Sequence, residues 1–195
     1  MKRPGAWLVS IALAGCVFRQ TEAPRYFRPD SAALSPEAAL DDGAPARTIR
    51  LRAVRARPFL RERIVWRAPG EYGMYEQRRW SELPEAYVER AIASALRREA
   101  HVDLTDDTRA PSLSANVTAF DEVVSPTHVA NVAVDASLTA PDGRRLFERR
   151  FAAEAVIADD DPRSLVRSMG AALDDVSAQV ARSVAETLKV GAPSG

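Results

Sequence analysis

The chain has few side chains that could do chemistry. It holds one cysteine, Cys16, two histidines, His101 and His128, and an acidic run at Asp159-Asp160-Asp161. The histidines are 27 residues apart, and neither has another histidine or a cysteine at zinc-ligand spacing, so we predict no metal site. The acidic run directly precedes Pro162, which indicates capping of a helix start rather than a cation site. No nucleophile elbow, phosphate loop or dinucleotide motif is present, so we predict a protein that is not an enzyme.

Cys16 ends a segment that is typical of a secretory signal. Lys2 and Arg3 make its start positive, and residues 6–14 are mostly apolar. This stretch is too short to cross a bilayer, because about 30 Å of hydrocarbon takes about 20 residues. The segment Leu13-Ala14-Gly15-Cys16 resembles the lipobox of bacterial lipoproteins, in which the cysteine thiol receives a diacylglyceryl group and becomes the acylated first residue after cleavage. We predict a signal peptide over residues 1–15 and a lipid anchor on Cys16.

Acylation of Cys16 would tether the protein without making it span the membrane. Two or three buried acyl chains anchor a protein stably, at about 0.8 kcal/mol per CH₂, whereas one holds it only marginally. The alternative is that Cys16 is an ordinary small hydrophobe, which its position and uniqueness argue against. Val17 follows where an aspartate commonly retains lipoproteins in the inner membrane, so the resemblance favours the outer membrane, facing the periplasm. The covalent lipid is the only cofactor that we predict.

The charge of the chain argues against nucleic acid as a partner. Removal of Lys2 and Arg3 with the signal leaves 25 of 27 basic residues against 27 acidic ones, and the two signs are mixed throughout. All basic residues except Lys2 and Lys189 are arginines. Arginine forks can bind phosphate or lipid headgroups. Codon usage in an Ala- and Arg-rich proteome is the explanation that we favour.

Composition divides the rest of the chain into a tether, a domain and a tail. Residues 16–45 are rich in Ala, Pro, Asp and Ser with little apolar periodicity, which predicts a lipidated flexible tether with a reach of roughly 30 Å. Within it, Tyr26 and Phe27 could form a short strand or dock on the domain. Residues 46–190 are long enough for one hydrophobic core, and residues 191–195 are predicted to be a disordered tail.

Apolar periodicity predicts an α+β domain. Alternation of apolar and polar residues predicts strands over 48–56, 63–67, 71–77, 112–124, 129–140 and 145–157. The segment Pro141-Asp142-Gly143 supplies a hairpin turn, and Leu113, Ala115, Val117 and Ala119 are predicted on one strand face. Helical spacing predicts helices over 84–99 and from Pro162 to about residue 188. We expect a mostly antiparallel sheet with two main helices packed on one face.

The region from Phe59 to Leu96 carries a family resemblance. It contains the strand Phe59 to Arg67, then Tyr72 and Tyr75, then an Arg-Trp-Xaa-Glu-Xaa-Pro element before an amphipathic helix. This pattern resembles the ABC-type transport auxiliary lipoproteins, and the lipobox, tether and long last helix agree with it. The tether departs from the pattern, since it has a charge and a proline where such proteins usually carry a first short strand.

The resemblance implies a non-catalytic partner of a lipid-transporting ABC system. The implied partners are an MCE-domain protein and the ABC permease complex, with this chain at the outer-membrane end of the path. A homo-oligomer of this chain is a further alternative. Candidate partner-binding residues are Trp66, Tyr75, Arg79, Trp80 and Glu82, because Trp and Arg contribute a disproportionate share of interface energy. The alternative is that Trp80 fills the core above the helix, and Trp66 shares this ambiguity.

Two other classes of function fit the same fold. A scaffold or assembly lipoprotein would position an outer-membrane barrel or secretin without lipid traffic. A lipid or ligand carrier would need an apolar pocket, which the many small core-facing alanines make less favourable. The sequence predicts neither the transported lipid nor its direction.

Overall fold

The computed structural model describes residues 22–35 and 47–190. The predicted signal peptide, Cys16 and the tail over 191–195 lie outside the described residues. Nine strands, two helices and one short 3-10 turn are present in the described part, in the following order. They are β1 (Arg25–Phe27), the 3-10 turn Ala32–Leu34, β2 (Arg47–Leu51), β3 (Arg55–Ala56), β4 (Arg63–Ala68), β5 (Glu71–Trp80), α1 (Pro84–Ala100), β6 (Val102–Leu104), β7 (Ser112–Val123), β8 (Val129–Thr139), β9 (Arg145–Val156) and α2 (Pro162–Val190).

The sheet is organised around β7. Its long ladders are antiparallel, with β8 pairing both β7 and β9, and β4 pairing β5. On the other side of β7, β2, β3 and β4 pair with it one after another, all parallel and over short stretches. Parallel pairings also join β6 to β2 and β1 to β5. The predicted α+β class with a mostly antiparallel sheet is confirmed.

Both helices cover one face of the sheet and contact each other. The helical spacing of Leu165, Met169, Leu173, Val176 and Val180 buries all five side chains. On β8, alternation buries Ala130, Val132, Val134, Ala136 and Leu138 in the same core. The acidic run before α2 acts as a cap: the Asp159 carboxylate accepts hydrogen bonds from the Asp161 amide and the Ser164 hydroxyl, and these bonds lower the pKa of Asp159.

Residues 25–35 belong to the domain, so the predicted flexible tether over 16–45 is wrong for this part. β1 extends the sheet beside β5, and the following turn packs on α2, where Asp174 accepts hydrogen bonds from the Ser31 hydroxyl and the Ala32 and Ala33 amides. Gly170 permits this approach, since a Cβ there would lie 1.8 Å from the Asp30 carbonyl oxygen. The composition of residues 25–35 did not predict that they dock on the domain. Their contacts are to the backbone of β5 and to the distant helix α2, and not to residues nearby in the sequence.

Two predicted strand features are corrected by the ladders. The strand predicted over 48–56 is split into β2 and β3, because the chain steps along β7 between them and the Val54 amide donates to the Glu89 carboxylate at 3.3 Å. A register shift between Val117 and Ala119 moves Ala119 from the predicted core face to the opposite face, and Phe120 takes its place in the core. Within residues 22–35 and 47–190, no helix is both long enough and apolar enough to cross a membrane.

Candidate partner-binding site

The β4–β5 hairpin and the start of α1 hold all five predicted partner-binding residues. Trp66 lies on β4, Tyr75, Arg79 and Trp80 lie on β5, and Glu82 lies in the connection to α1. The hairpin turn at residues 69–70 is beside the Val123 end of β7, opposite the end where β8 turns into β9. Beyond the pairings at Arg78 to Trp80, the outer edge of β5 over 71–77 has no strand partner among the described residues.

Trp80 is a core residue. Only 1% of it is exposed, and its indole lies edge-on to Phe120 and Tyr87, with ring centroids at 5.3 and 6.5 Å. Tyr87 and Phe120 stack on each other at 6.2 Å, so the three rings form one aromatic cluster between β5, α1 and β7. The burial favours the interpretation of Trp80 as the residue that fills the core above α1. Its burial therefore argues against Trp80 as a residue that contacts a partner.

Glu82 is occupied within the chain. Its carboxylate accepts two hydrogen bonds from the Arg90 guanidinium, at 2.6 and 2.9 Å, and its amide donates to the Tyr87 hydroxyl at 3.0 Å. These contacts tie the connection after β5 to the first turns of α1.

Arg79 is partly buried on β5. Its ladder partners are Arg63 on β4 and Tyr26 on β1, and it makes no ion pair with any described residue.

Trp66 is half-buried and lies flat against the hairpin. Its ladder partner is Gly73, and a Cβ at that position would come within 2.5 Å of the indole Cζ2 atom. Glycine at position 73 therefore makes room for the indole on this face of the sheet. The ring leaves part of its surface accessible, unlike that of Trp80, so Trp66 remains available for a contact.

A partly buried ionic cluster, composed of Tyr75, Arg78, Glu122 and His128, lies beside Trp66. Glu122 is 4% exposed, and its Oε1 atom is 2.7 Å from His128 Nε2. The Arg78 guanidinium stands 4.4 Å from the Tyr75 ring centre and 3.9 Å from Glu122 Oε2. Burial raises the pKa of Tyr75 to about 12, and the Glu122 carboxylate adds to that shift. The cluster holds its side chains in fixed orientations at the hairpin end of the sheet.

The raised pKa of Tyr75 predicts a late phenol titration. Because the folded-state pKa is above the ordinary value of 10.0, stability from this group is intact below pH 10 and is lost as pH rises from about 10 to 12. In Glu122→Gln, the titration midpoint should fall while staying above 10, since burial remains. Absorbance at 295 nm, with Tyr75→Phe subtracted to isolate this phenol, measures it. Circular dichroism at each pH checks that the chain is folded, and an unchanged midpoint in Glu122→Gln would contradict the assignment.

The sequence predicted only Tyr75 of this cluster, and it also predicted Trp80 and Glu82, whose side chains make their contacts within the chain. One signal was available, since Phe120-Asp121-Glu122-Val123 places the only two charged residues of this strand next to each other between apolar residues. Asp121 faces the opposite side of the sheet, where its carboxylate contacts Arg67 at 2.5 Å and Asn131 at 2.6 Å.

The other predicted chemical residue, His101, follows the last residue of α1 and has a left-handed backbone conformation. In the part of the chain that the structure describes, no group of His, Cys, Asp and Glu could hold a metal ion.

Comparison with known proteins gives one family match and several related folds. The family model described as the ABC-type transport auxiliary lipoprotein component matches residues 32–181. Protein XCC0632 from Xanthomonas campestris superposes with a TM-score of 0.71 at 17% identity, covering 85% of this chain and 98% of that one. An uncharacterized protein (TM-score 0.66, 14% identity, 84% and 99% coverage) and the hypothetical protein CT253 from Chlamydia trachomatis (TM-score 0.54, 9% identity, 74% and 98% coverage) share the fold. No curated protein matches the sequence significantly.

Proposed function

The chain belongs to the family of ABC-type transport auxiliary lipoprotein components, and we propose that it serves an MCE-type lipid transport system as a non-catalytic, periplasm-facing partner. The match over residues 32–181 is the observation that carries this proposal, because it includes α1, the first 20 residues of α2 and all strands except β1. Membership in a lipoprotein family implies a membrane-anchored periplasmic location. We further propose the outer membrane, since Val17 follows the predicted anchor Cys16.

The β4–β5 hairpin is the surface that we propose for the partner. The outer edge of β5 offers unpaired backbone donors and acceptors over 71–77 within the described structure, and such an edge can pair with a strand of another chain. Half-buried Trp66 and Tyr75 flank this edge with apolar area. Arg79 lies at the inner end of the same strand, where β1 already pairs with β5. The proposed contact set is therefore Trp66, Tyr75 and the edge itself, with Arg79 at its limit.

Site-specific photo-crosslinking in cells tests this proposal. A photoreactive residue replaces exposed Glu76 on the β5 edge, and a matched control replaces exposed Arg144 in the turn at the other end of the sheet. We expect Glu76, and not Arg144, to capture an MCE-domain protein or its ABC permease, identified by mass spectrometry. Both variants are compared with the unmodified chain for abundance and membrane attachment.

Other products of the same experiment would overturn specific parts of the proposal. Capture of an outer-membrane barrel or secretin without any MCE-domain protein would favour the scaffold function. A crosslink to a second copy of this chain would place the hairpin in a homo-oligomer instead. Equal capture of the MCE-domain protein at Glu76 and Arg144 would reject the hairpin as the contact surface while leaving the partner in place.

A further inference from the structure

The face of the sheet away from the helices carries a small pocket. Its volume is about 220 Å³, its floor is formed by Thr118 and Ala119 of β7, and Phe59, Val65 and Tyr72 form one wall. The register shift in β7 places the two small floor residues on this face. Sites for drug-sized ligands are usually about 300–1,000 Å³, so this pocket suits a smaller group.

The charge around the pocket is dominated by guanidinium groups. Arg57, Arg67 and Arg150 line it. Arg67 is paired with Asp121 through its Nε atom at 2.5 Å, whereas Arg57 and Arg150 are exposed and make no ion pair with any described residue. Two further acidic groups lie near this face of the sheet: Glu154, which adds to the raised pKa of Asp121, and Asp135, which is the ladder partner of Arg150, but neither lines the pocket. With Arg67 and Asp121 offsetting each other, the side chains that line the pocket leave two unpaired arginines and no unpaired carboxylate.

The two unpaired arginines reach the pocket from opposite sides. Arg57 follows β3, and its amide donates to the Val117 carbonyl oxygen at 3.1 Å, which holds it beside β7. Arg150 lies on β9, so β7 and β8 separate the two backbones by about 14 Å, three strand spacings. The floor of the pocket lies at the ladder level of Ala119, Ala133 and Ala152, whose small side chains leave the space above the sheet open, and Arg150 is two residues before Ala152 on β9.

We propose that this pocket binds a phosphate-type anion, held between the Arg57 and Arg150 guanidinium groups. A guanidinium presents two parallel N–H donors to phosphate oxygens, and two such forks from opposite sides match a tetrahedral anion. Phe59 and Tyr72, whose ring centroids are 5.9 Å apart, supply apolar area for carbon atoms attached to the phosphate. A lipid headgroup and a soluble phosphate ester share this chemistry. The proposal goes beyond the partner contact and can be tested without the partner.

Arginine side-chain NMR on the full chain in dodecyl maltoside tests the pocket. The probes are inorganic phosphate, glycerophosphoglycerol and dihexanoyl-phosphatidylglycerol, with glycerol as the uncharged control. We expect saturable shifts of the Arg57 and Arg150 Nε–Hε signals with at least the two phosphate esters. Arg57→Gln and Arg150→Gln should each weaken the apparent affinity roughly tenfold. Arg144→Gln, in the distant turn after β8, is the matched control and should change nothing.

The outcomes separate the two sources of the anion from failure of the proposal. Binding of dihexanoyl-phosphatidylglycerol at least roughly tenfold tighter than that of glycerophosphoglycerol would assign the pocket to lipid headgroups. Equal binding of both would assign it to soluble phosphate esters. The proposal that the pocket binds a phosphate-type anion would be overturned by the absence of saturable shifts with every phosphate probe. It would also be overturned by an unchanged affinity in both single variants, Arg57→Gln and Arg150→Gln. Partner capture at Glu76 is unaffected by either result, so the two proposals fail independently.

Discussion

Replacement of Trp80 by alanine is expected to lower the free energy of unfolding by about 3–5 kcal/mol, the usual cost of removing a large buried aromatic. The indole is 1% exposed and contacts both Phe120 and Tyr87, so its loss leaves a cavity between β5, α1 and β7. For a domain of this size the melting temperature should fall by roughly 6–20 °C. Urea unfolding followed by circular dichroism at 222 nm measures the change without using tryptophan fluorescence.

Trp66→Ala is the matched control for Trp80→Ala. Both substitutions remove an indole from the same hairpin, but Trp66 is only half-buried, so its loss should cost clearly less stability. Well below its melting temperature, Trp80→Ala should still give the Glu76 crosslink to the partner. Unchanged stability together with loss of that crosslink would reverse our assignment and make Trp80 the contact residue.

Replacement of Cys16 by serine is expected to release the domain from membranes completely. The serine hydroxyl does not take the place of the thiol that would receive the lipid, so labelled fatty acid should no longer be incorporated. An uncleaved apolar leader could itself hold the variant on a membrane. The test therefore places Cys16→Ser behind an unrelated secretory leader with its own cleavage site, replacing residues 1–15. Membrane fractions are washed with carbonate to remove protein that is held only by its partners.

The same fractions test the proposed outer-membrane location. Unaltered chain should resist the carbonate wash and sediment with outer membranes in a density gradient, whereas Cys16→Ser should be in the soluble periplasmic fraction. A serine variant that stays with washed membranes would show that the lipobox interpretation is wrong. Sedimentation of the acylated chain with inner membranes would keep Cys16 as the anchor and reject the inference from Val17.

Much of the fold could be predicted because its signals are local. Alternation along β8 places Ala130, Val132, Val134, Ala136 and Leu138 on one face, and the ladder geometry turns that alternation directly into burial. The stripe from Leu165 to Val184 does the same for α2, and Asp159 before Pro162 marks its start. In each case the backbone period alone decides which side chains share a face. The family resemblance was likewise predictable, because its motifs are contiguous in the chain.

The sequence by itself determined the long strands and both helices, where the core-facing residues recur, and the Cys16 motif. The tertiary structure decided which of two similar indoles is buried, that residues 25–35 dock on α2 through Asp174, and that a one-residue shift in β7 moves Ala119 out of the core. It also assembled Glu122 with Tyr75 and the arginine pocket with Tyr72. Periodicity is a property of neighbouring residues, whereas these features depend on which distant segments meet, and burial there is set by what covers a side chain.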